Sequence, residues 1–482
     1  MLFNSISFGI FLPIVFFLYW FGTRGSLRLQ NVLLLVSSYF FYACWDYRFL
    51  FLLVFSTLLD YFTGIKIHEA KNMASRRFWL WLSITVNLGF LGVFKYYNFF
   101  AHSFAEGLSL LGMKVNPGTL NVILPVGISF YTFHGLSYVI DLYKDRIKPE
   151  RNFIDYSVFV SFFPLLVAGP IERATHLLPQ ILKKREFNYA KAIDGLRQIL
   201  WGLFKKIVIA DNCAEFANDI FNHSGDHTGS TLVLGALFFT FQIYCDFSGY
   251  SDIALGTARL FGIDLLRNFA FPYFSRDIAE FWRRWHISLS SWFRDYLYIP
   301  LGGSKGGTWM KVRNTFIIFL VSGFWHGANW TFIVWGLLNA IYIMPSIIFN
   351  TNRNNLETVA QGKTLPTVKE LFSIVLTFVL TVFAWIFFRA NNVHHAFQII
   401  SEIFSGSLFT VPSFNEIWRS VPIMILTVLF LVVEWMGREQ QYAIAKLGFH
   451  WNRPVRWAMY YTIILLTFYF AGSKQEFIYF QF

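Results

Sequence analysis

Charged residues are scarce in this sequence, and their scarcity excludes an ordinary soluble protein. Asp, Glu, Lys and Arg make up 14% of the 482 residues, whereas a soluble globular protein carries about a quarter. Hydrophobic residues reach 55%, and the mean hydropathy is +0.47. Long apolar runs recur along the chain, whereas a membrane β-barrel would show short alternating segments. The composition therefore predicts an all-α polytopic membrane protein, with a single integral membrane domain over residues 1–482.

Cysteines and known catalytic motifs are also scarce. Cys44, Cys213 and Cys245 lie in or at apolar stretches, without the spacing of a disulfide framework or a metal site. We expect them to be small core residues. The sequence has no GxSxG motif, no glycine-rich phosphate loop and no HExxH, and its acids and histidines lack metal-ligand spacing. We therefore expect no bound metal or cofactor, and acid–base chemistry by histidine is the candidate chemistry that is left.

The first apolar run, Ile6 to Phe21, lacks the basic start and the cleavage site of a signal peptide. We expect it to stay as a transmembrane helix. The net charge of +12 would suggest nucleic acid in a soluble protein. Here Lys and Arg lie mostly in short loops, as the positive-inside rule predicts for cytoplasmic loops. Counting crossings from these loops places the N-terminus, loop 100–118 and loop 218–230 outside the cytoplasm.

Apolar segments predict the positions of most helices. They lie near 6–22, 31–45, 48–64, 79–99, 194–212, 231–262, 371–389, 421–436 and 457–471. Tyr156 to Ala168 is apolar, but it is shorter than the about 20 residues that a bilayer requires. Because prolines break it and both flanks are basic, we expect a re-entrant segment that opens toward the cytoplasm. A polar linker is predicted at 350–369, and His394 and His395 are assigned to a surface helix without a role.

Two acids lie inside the apolar segment 231–262. Asp246 and Asp252 occur in FQIYCDFSGYSDIALG, on either side of Ser248. Carboxylates at membrane depth are costly and usually have a function. We expect them to pair with Arg or Lys from the following loop, slightly ahead of a direct catalytic role.

The most basic stretch, 267–313, contains one apolar stripe at helical spacing. The stripe consists of Phe281, Trp285, Leu289, Trp292 and Tyr296. Three arginines lie off the stripe: Arg283, Arg284 and Arg294. This pattern predicts a helix in the membrane interface, with its aromatic side in the membrane and its basic side toward water and anions. An anchor of this kind leaves His286 unexplained.

The segment from Asn314 to Ile343 contains no Asp, Glu, Lys or Arg, but it holds His326. An imidazole at membrane depth should face protein or a wet cavity rather than lipid. Gly323 and Gly327 flank it, four residues apart, and would let another backbone or a ligand come close. Trp325 could wall off a pocket. The alternative is a histidine that only hydrogen-bonds a neighbouring helix, and we favour a functional role.

His286 and His326 are therefore the two candidate acid–base groups. A neutral histidine in a dry tunnel is a competent general base for a hydroxyl. Basic residues at a cytoplasmic mouth would suit an anionic carrier such as a nucleotide-bearing thioester. Spacing alone does not decide whether either group does so.

Five long blocks of the sequence share their content and order with one known family. The blocks are LPVGISFYTFHGLSYVIDLY (124–143), FFPLLVAGPIERATHLLPQ (162–180), YCDFSGYSDIALG (244–256), FWRRWHISLSSWFRDYLYIPLGG (281–303) and SGFWHGANWTFIVWG (322–336). Together they resemble the membrane-bound O-acyltransferase (MBOAT) superfamily. The similar branch holds bacterial alginate O-acetylation proteins, peptidoglycan O-acetyltransferases and teichoic acid D-alanyl transfer proteins.

The resemblance implies roughly ten to twelve transmembrane helices, with re-entrant and interfacial helices, around a transmembrane tunnel. It implies that His326 is the catalytic base and that His286 falls on the supporting position. His134 stands where many relatives have Gln, so it is given no catalytic role. The residues then expected to line the substrate and donor tunnel are Asp246, Ser248, Arg283, Arg284, Trp285, Arg294, Trp325 and Asn329.

The activity implied by the resemblance is transfer of an acetyl group from acetyl-CoA or an acyl carrier in the cytoplasm. The acceptor would be a hydroxyl of an exported or cell-wall polysaccharide, reached directly or through a periplasmic SGNH-type acetyltransferase. The expected location is a bacterial inner membrane, among membrane lipids and without a nucleic-acid partner. Two alternatives stay open. One is D-alanyl or lipid acyl transfer by the same fold; the other is a transporter or flippase, against which the lack of an internal repeat counts.

Overall fold

The computed structural model describes residues 1–120, 123–167, 169–472 and 475–480, and it is helical, without a strand, in these ranges. The predicted all-α class is therefore confirmed. The α-helices of the described ranges are α1 (Ile6–Phe17), α2 (Leu27–Ala43), α3 (Tyr47–Glu69), α4 (Met73–Leu91), α5 (Tyr97–Leu110), α6 (Ile128–Tyr143), α7 (Phe153–Ser161), α8 (Phe163–Leu166), α9 (Ala174–Ile181), α10 (Tyr189–Leu203), α11 (Asp211–Asn222), α12 (Gly229–Leu260), α13 (Ile278–Arg284), α14 (Ile287–Phe293), α15 (Gly307–His326), α16 (Trp330–Ile348), α17 (Val368–Arg389), α18 (Val393–Ile403), α19 (Ile417–Gly437) and α20 (Arg453–Tyr469).

Six helical stretches of the described chain are long and apolar enough to cross a membrane. They are Tyr47–Glu69, Met73–Leu110, Gly229–Leu260, Trp330–Ile348, Val368–Arg389 and Ile417–Gly437. The first apolar run, Ile6–Gly22, is helical but shorter. These stretches make the chain a multi-pass membrane protein, and the larger number of crossings implied by the resemblance stays a prediction.

The chain divides into two compact units. The first unit contains residues 1–192 and 257–266, and the second contains residues 193–256 and 267–482. The single membrane domain expected from the sequence stays a prediction, and each unit is described by itself below.

In the first unit, the helix predicted at 79–99 is longer than expected. α4 continues through a π-helical turn at Gly92–Tyr96 into α5, so one helical stretch runs to Leu110. Gly112 then leaves the helix with a φ of 80°, a conformation that glycine adopts without steric cost. Much of the predicted loop 100–118 is therefore helix, because no residue in 97–110 breaks it.

The segment predicted as re-entrant folds as α7 and α8, which are separated at Phe162. Residues 156–167 are all buried, and Ala168 lies outside the described residues. The break leaves backbone groups that need other partners, and the Phe163 N–H donates to Ser38 Oγ at 3.0 Å. The interruption of the helix was predicted, whereas the re-entrant course and the opening toward the cytoplasm stay predictions.

In the second unit, glycines let α10 and α12 touch backbone to backbone. A Cβ at Gly202 would overlap the carbonyl oxygen of Gly249, and the reverse contact is also close. α10 then widens into a π-helical turn at Phe204–Ala210, where a continuous α-helix was predicted. Such turns occur often at functional sites. Here the turn lets the neighbouring side chains of Lys205 and Lys206 both lie buried.

The basic stretch 281–296 is not one helix, because a left-handed residue, His286 (φ 43°), separates α13 from α14. Its aromatic stripe packs inside the second unit. Trp285 is 2% exposed, and its ring centroid lies 5.5 Å from Phe281 and 5.0 Å from Trp385. The predicted membrane-facing aromatic side is therefore wrong, since these rings fill a protein core.

The polar linker predicted before α17 is held in place by arginines. Arg283 donates to the carbonyl oxygens of Asn352 at 2.7 Å and Asn355 at 2.8 Å. Arg276 and Arg284 both donate to the carbonyl of Glu357, at 2.8 and 3.1 Å. Each of these hydrogen bonds satisfies a backbone group that a loop would otherwise offer to water.

The cysteines differ in exposure. Cys213 and Cys245 are buried, as expected, but Cys44 is exposed. Cys44 is the residue that ends α2, beyond the packed part of that helix. The prediction that all three are core residues is therefore wrong for Cys44.

Candidate active site

His326 is the last residue of α15. The apolar segment around it folds as two helices, α15 and α16, joined by residues 327–329. Gly327 has an extended backbone, with φ −165° and ψ 155°, and the Asn329 side chain caps α16 by accepting the Thr331 N–H at 3.0 Å. This turn places the imidazole at the C-terminal end of α15.

The glycines beside His326 bring α15 and α16 into close contact. A Cβ at Gly323 would overlap the carbonyl oxygen of Phe332, and one at Gly327 would overlap the Phe332 ring. On α16, a Cβ at Gly336 would overlap the Phe319 carbonyl oxygen. The predicted close approach at Gly323 and Gly327 is confirmed, although Gly327 lies just beyond the helix.

Aromatic rings surround the His326 imidazole. His326 is 4% exposed. The centroid of its ring lies 4.9 Å from that of Trp325, 5.1 Å from that of Trp335 and 5.3 Å from that of Phe388. The expectation that this imidazole faces protein is confirmed. Rings on several sides keep bulk water away, which strengthens any hydrogen bond that the imidazole makes to a substrate.

His286 lies in a strained position between α13 and α14. Left-handed backbone costs a residue with a side chain about 1–2 kcal/mol. Two hydrogen bonds to Asn268 hold it: the Ile287 N–H donates to the Asn268 carbonyl at 2.9 Å, and Ser288 Oγ donates to Asn268 Oδ1 at 2.6 Å. Strain of this kind is concentrated at functional sites.

The His286 ring is buried and neutral. The residue is 1% exposed, and neither ring nitrogen has a hydrogen-bond partner among the described residues. Burial lowers the pKa of His286 to about 3, so the ring carries no charge at neutral pH. Buried polar groups without partners are rare in folded proteins, and this one is therefore available to a ligand.

The rings of one tryptophan and one tyrosine each lie near both histidines. The Trp325 centroid lies 6.1 Å from His286 and 4.9 Å from His326. The Tyr479 centroid lies 6.4 Å from His286 and 5.7 Å from His326. The structure thus brings both candidate histidines and Trp325 into one aromatic cluster, while their catalytic roles stay predictions.

Tyr479 is a site residue that the sequence analysis missed. It lies in a 3₁₀ turn at Ile478–Phe480, and the Ile478 N–H donates to Asp246 Oδ2 at 2.7 Å. Phe477 packs against Tyr250 at 4.4 Å. The only signal was an aromatic-rich end, which the many other aromatic residues of this chain conceal.

The two acids of α12 pair with lysines. Asp252 lies 2.6 Å from Lys205, and Asp246 lies 2.7 Å from Lys206, which also contacts Asp211 at 2.6 Å. Pairing was predicted and is confirmed, but the expected source of the cations is wrong. They come from the π-helical turn before α12 rather than from the loop after it, because the glycine contact holds that turn against α12.

A narrow polar cleft with a cavity volume of about 10 Å³ lies beside these pairs in the second unit, and this is roughly the room that one water needs. Its lining includes Lys205, Ser248, Asp252, Arg267, Asn268 and Glu434. Ser248 Oγ and Asn268 Nδ2 are buried and have no hydrogen-bond partner within the described ranges. Asn268 therefore lines the cleft and also accepts the hydrogen bonds that hold the backbone beside His286.

The three arginines predicted for the tunnel have other contacts. Arg283 and Arg284 hold the linker, and Arg284 also donates from Nε to Glu280 at 3.0 Å. Arg294 is exposed and pairs with its neighbour Asp295 at 2.7 Å. Their part in binding a donor stays a prediction, and the described lining of the cleft contains Lys205 and Arg267 instead.

A second group of histidines lies in the first unit. His134 Nε2 accepts the Glu172 N–H at 3.1 Å. Glu172 is fully buried, and its Oε2 lies 2.8 Å from Nδ1 of the half-buried His176. The hydrogen bond that the His176 ring donates to this carboxylate raises the pKa of His176. His134 thus has a backbone contact that accounts for its presence, and its expected lack of catalytic role stays a prediction.

The site lies in a region that matches known proteins. The sequence model of the MBOAT family, the membrane-bound O-acyltransferase family, matches residues 144–388. A probable alginate O-acetylase of Pseudomonas putida is 37% identical over 99% of this chain and 99% of its own length. A peptidoglycan O-acetyltransferase of Helicobacter pylori is 34% identical over 93% of this chain and 91% of its own length. A teichoic acid D-alanyltransferase of Streptococcus thermophilus is 32% identical, over 50% of this chain and 62% of its own length.

These matches decide between the classes of protein left open by the sequence. A transporter without covalent chemistry is no longer a candidate, because the family and its full-length relatives are transferases. Both histidines and the α15–α16 turn fall within the matched residues. The chain belongs to the membrane-bound O-acyltransferase family, and it is a multi-pass membrane O-acyltransferase of the O-acetyltransferase type.

Proposed function

We propose that the chain transfers an acetyl group from acetyl-CoA to hydroxyl groups of an exported or cell-wall polysaccharide, with His326 as the base. The names of the alginate and peptidoglycan relatives support the acetyl group and a polysaccharide as acceptor, without deciding whether that polysaccharide is charged. The observation that carries the proposal is the placement of His326. It lies buried at a helix end, in an aromatic cluster that also holds His286.

The proposed reaction needs one base and one hydrogen-bond donor. His326 takes the proton of the acceptor hydroxyl as its oxygen attacks the thioester carbonyl. The carbon–sulfur bond then breaks, and the coenzyme A thiolate leaves and takes up a proton. Neutral His286 carries one N–H, which can donate to the oxygen that becomes negative during the attack. The low pKa of His286 suits a hydrogen-bond donor that stays uncharged.

The polar cleft is the proposed binding region for the acetyl donor. The arm of coenzyme A carries amide groups, which need both donors and acceptors when they leave water. Ser248 Oγ and Asn268 Nδ2 are buried in the cleft with their hydrogen-bonding capacity unused. Lys205 and Arg267 add positive charge beside them. We infer that the arm approaches this cleft, which has to widen before the arm can enter.

The proposed location is the inner membrane of a bacterium, with the N-terminus outside. Basic loops then face the cytoplasm, where acetyl-CoA is available, and the acceptor lies outside. The acetyl group passes either directly to the polysaccharide or first to a periplasmic SGNH-type partner. This arrangement is supported by the distribution of Lys and Arg in the sequence.

Membranes that contain the full chain test the proposal with radiolabelled acetyl-CoA and a polysaccharide extract. We expect label in the polysaccharide, and a loss of about a hundredfold or more in His326→Ala, the size expected for a missing general base. His394→Ala is the matched control, because His394 is exposed on α18. Equal transfer by His326→Ala and the control would exclude His326 as the base.

The D-alanyltransferase relative favours a second candidate, transfer of D-alanine by the same site. That match covers half of the chain, whereas the acetyltransferase matches cover nearly all of it. A thioester-linked D-alanyl carrier protein, offered in place of acetyl-CoA, separates the two. We expect transfer from acetyl-CoA only.

A further inference from the structure

A polar groove lies on the second unit, apart from the cleft and from the histidine cluster. One wall is the turn between α11 and α12, and the other is α18. We name it the Asp226 groove, after a lining that includes Asp226, His227, Thr228, Gln398, Ser401 and Glu402. It encloses about 560 Å³, which is within the range of small-ligand sites.

The charge of the groove is unusual for this chain. Among its lining residues the charged side chains are Asp226 and Glu402, both acidic, although the whole chain carries a net charge of +12. Two carboxylates would repel a polyanion and leave it without a compensating cation. The same carboxylates, with Ser401, Thr228 and Gln398, accept hydrogen bonds from hydroxyl groups.

The walls of the groove are fixed rather than loose. The Gly229 N–H donates to Ser407 Oγ at 2.7 Å, and Ser407 Oγ donates to Glu402 Oε1 at 2.6 Å. A Cβ at Gly229 would overlap the carbonyl oxygen of Glu402. The start of α12 and the end of α18 are therefore in direct contact, and the shape of the groove exists before a ligand arrives.

A chain of hydrogen bonds connects this groove with the loop after His326. Asn329 Nδ2 donates to the Asn391 carbonyl at 2.9 Å, and the Asn391 N–H donates to His395 Nδ1 at 3.2 Å. His395 Nε2 lies 2.8 Å from Ser224 Oγ, at the edge of the groove. Because Nδ1 accepts, the neutral ring carries its proton on Nε2 and donates it to Ser224. Asn329 is three residues from His326.

We propose that the Asp226 groove binds an uncharged, hydroxyl-rich glycan segment of the acceptor, and that His395 positions the groove relative to the catalytic loop. The identification of this glycan as the acceptor rests on the proposed function, whereas the binding of a glycan to the groove does not depend on it. An uncharged glycan satisfies the acidic, hydroxyl-accepting lining, whereas a polyuronate or a phosphate polymer does not. Through His395 and Asn391, hydrogen bonds link the edge of the groove to Asn329, in the turn that follows His326.

Binding is measured on the full chain in nanodiscs, in the His326→Ala background, so that turnover plays no part. The probes are three neutral hexasaccharides (cellohexaose, maltohexaose and chitohexaose) and one polyanion, hexamannuronate. We expect at least one neutral probe to bind and hexamannuronate to bind at least tenfold more weakly. Asp226→Ala and Gln398→Ala should weaken the neutral probe about tenfold, the effect of one lost hydrogen bond of about 1.4 kcal/mol. His394→Ala should leave it unchanged.

Charge reversal gives a second measurement. Asp226→Lys should strengthen hexamannuronate binding several-fold while it weakens the neutral probe. The proposal is overturned if no neutral probe binds, if hexamannuronate binds as tightly as the best of them, or if Asp226→Ala and Gln398→Ala bind like His394→Ala. It is also overturned if a photo-crosslinker at Ser401 in cells traps a protein chain and no glycan.

The positioning role of His395 is tested in the active enzyme. His395→Ala should raise KM for the glycan about tenfold and leave the slow hydrolysis of acetyl-CoA without acceptor unchanged, and His395→Gln should restore part of the loss. A loss of hydrolysis equal to the loss of transfer would show a merely structural role. If acetyl transfer is absent altogether while the neutral probe still binds through Asp226, the proposed function fails and the glycan site stands.

Discussion

At the scale of single residues, His286 and His326 lie in one aromatic cluster with Trp325 and Tyr479. His326 could be singled out because its apolar segment contains no Asp, Glu, Lys or Arg and no other histidine. His286 was singled out for a different reason, since an interfacial anchor leaves a histidine at this position unexplained. Tyr479 could not be found, because a ring that touches both histidines has the same sequence signal as one that faces lipid.

Replacement of Ser248 by Ala tests the donor cleft at this scale. The Oγ atom has no partner among the described residues, so its removal breaks no bond within the protein that the structure describes. We expect KM for acetyl-CoA to rise about fivefold to tenfold, with kcat and thermal stability nearly unchanged, as expected for one hydrogen bond of about 1 kcal/mol. Ser157→Ala, a buried serine of the first unit, is the control. An unchanged KM in Ser248→Ala would place the donor elsewhere.

His176 predicts a pH-dependent stability. Its pKa is raised above the ordinary 6.5, first by its hydrogen bond to Glu172. The charged ring therefore stabilises the folded chain fully below about pH 6.5, and this contribution is lost as pH rises through the raised pKa. Thermal unfolding in detergent should show a higher unfolding temperature for wild type than for His176→Gln below pH 6.5. This difference should disappear at high pH. A difference that stays constant from pH 5 to pH 9 would contradict this.

At the scale of helices, periodicity predicted faces and failed at breaks. The stripe from Phe281 to Trp292 is buried as one set, although a left-handed residue interrupts the helix. That break falls at His286 rather than at a glycine, and hydrogen bonds donated to Asn268, earlier in the chain, hold it. The lysine partners of Asp246 and Asp252 were mistaken for a similar reason, since a π-helical turn has no clear sequence signature.

The contact between α10 and α12 gives a prediction for a helix pair. Gly249→Val would place a side chain against the Gly202 carbonyl and Lys206. We expect a loss of about 1–3 kcal/mol in stability, the usual cost of overpacking, and weaker pairing of the lysines with α12. Gly9→Val is the control, because nothing lies within 4 Å of the added Cβ there. Unfolding temperatures in detergent compare the two, and equal values would mean that α10 and α12 can separate without cost.

At the scale of the whole molecule, composition predicted the class and the resemblance predicted the family. The division into two units could not be predicted, because it depends on contacts between distant segments. The length of the early helices was underestimated, since the sequence shows no clear stop before Gly112. The number of crossings and their direction are properties of the chain in a bilayer, and they need a measurement in cells.

Single cysteines in a Cys44→Ser background test the direction of insertion. Lys114→Cys should react with a membrane-impermeant maleimide in intact cells, because its loop is predicted outside. Lys71→Cys should react only after permeabilisation. Both positions are exposed, so a lack of reaction reports the side of the membrane rather than burial. The opposite pattern would invert the proposed topology.

The arginines around the linker before α17 have a consequence for its fate in the cell. A protease must draw about ten residues of extended chain into its own cleft, so attack on a loop needs local unfolding. Here backbone carbonyls of residues 352–357 accept hydrogen bonds from Arg276, Arg283 and Arg284. The carbonyls of Val359 and Ala360 accept hydrogen bonds from Arg438. This segment has the composition of a protease-sensitive linker, yet we expect trypsin to cleave it slowly. Cleavage should become fast only when Glu280, which forms ion pairs with Arg276 and Arg284, is replaced.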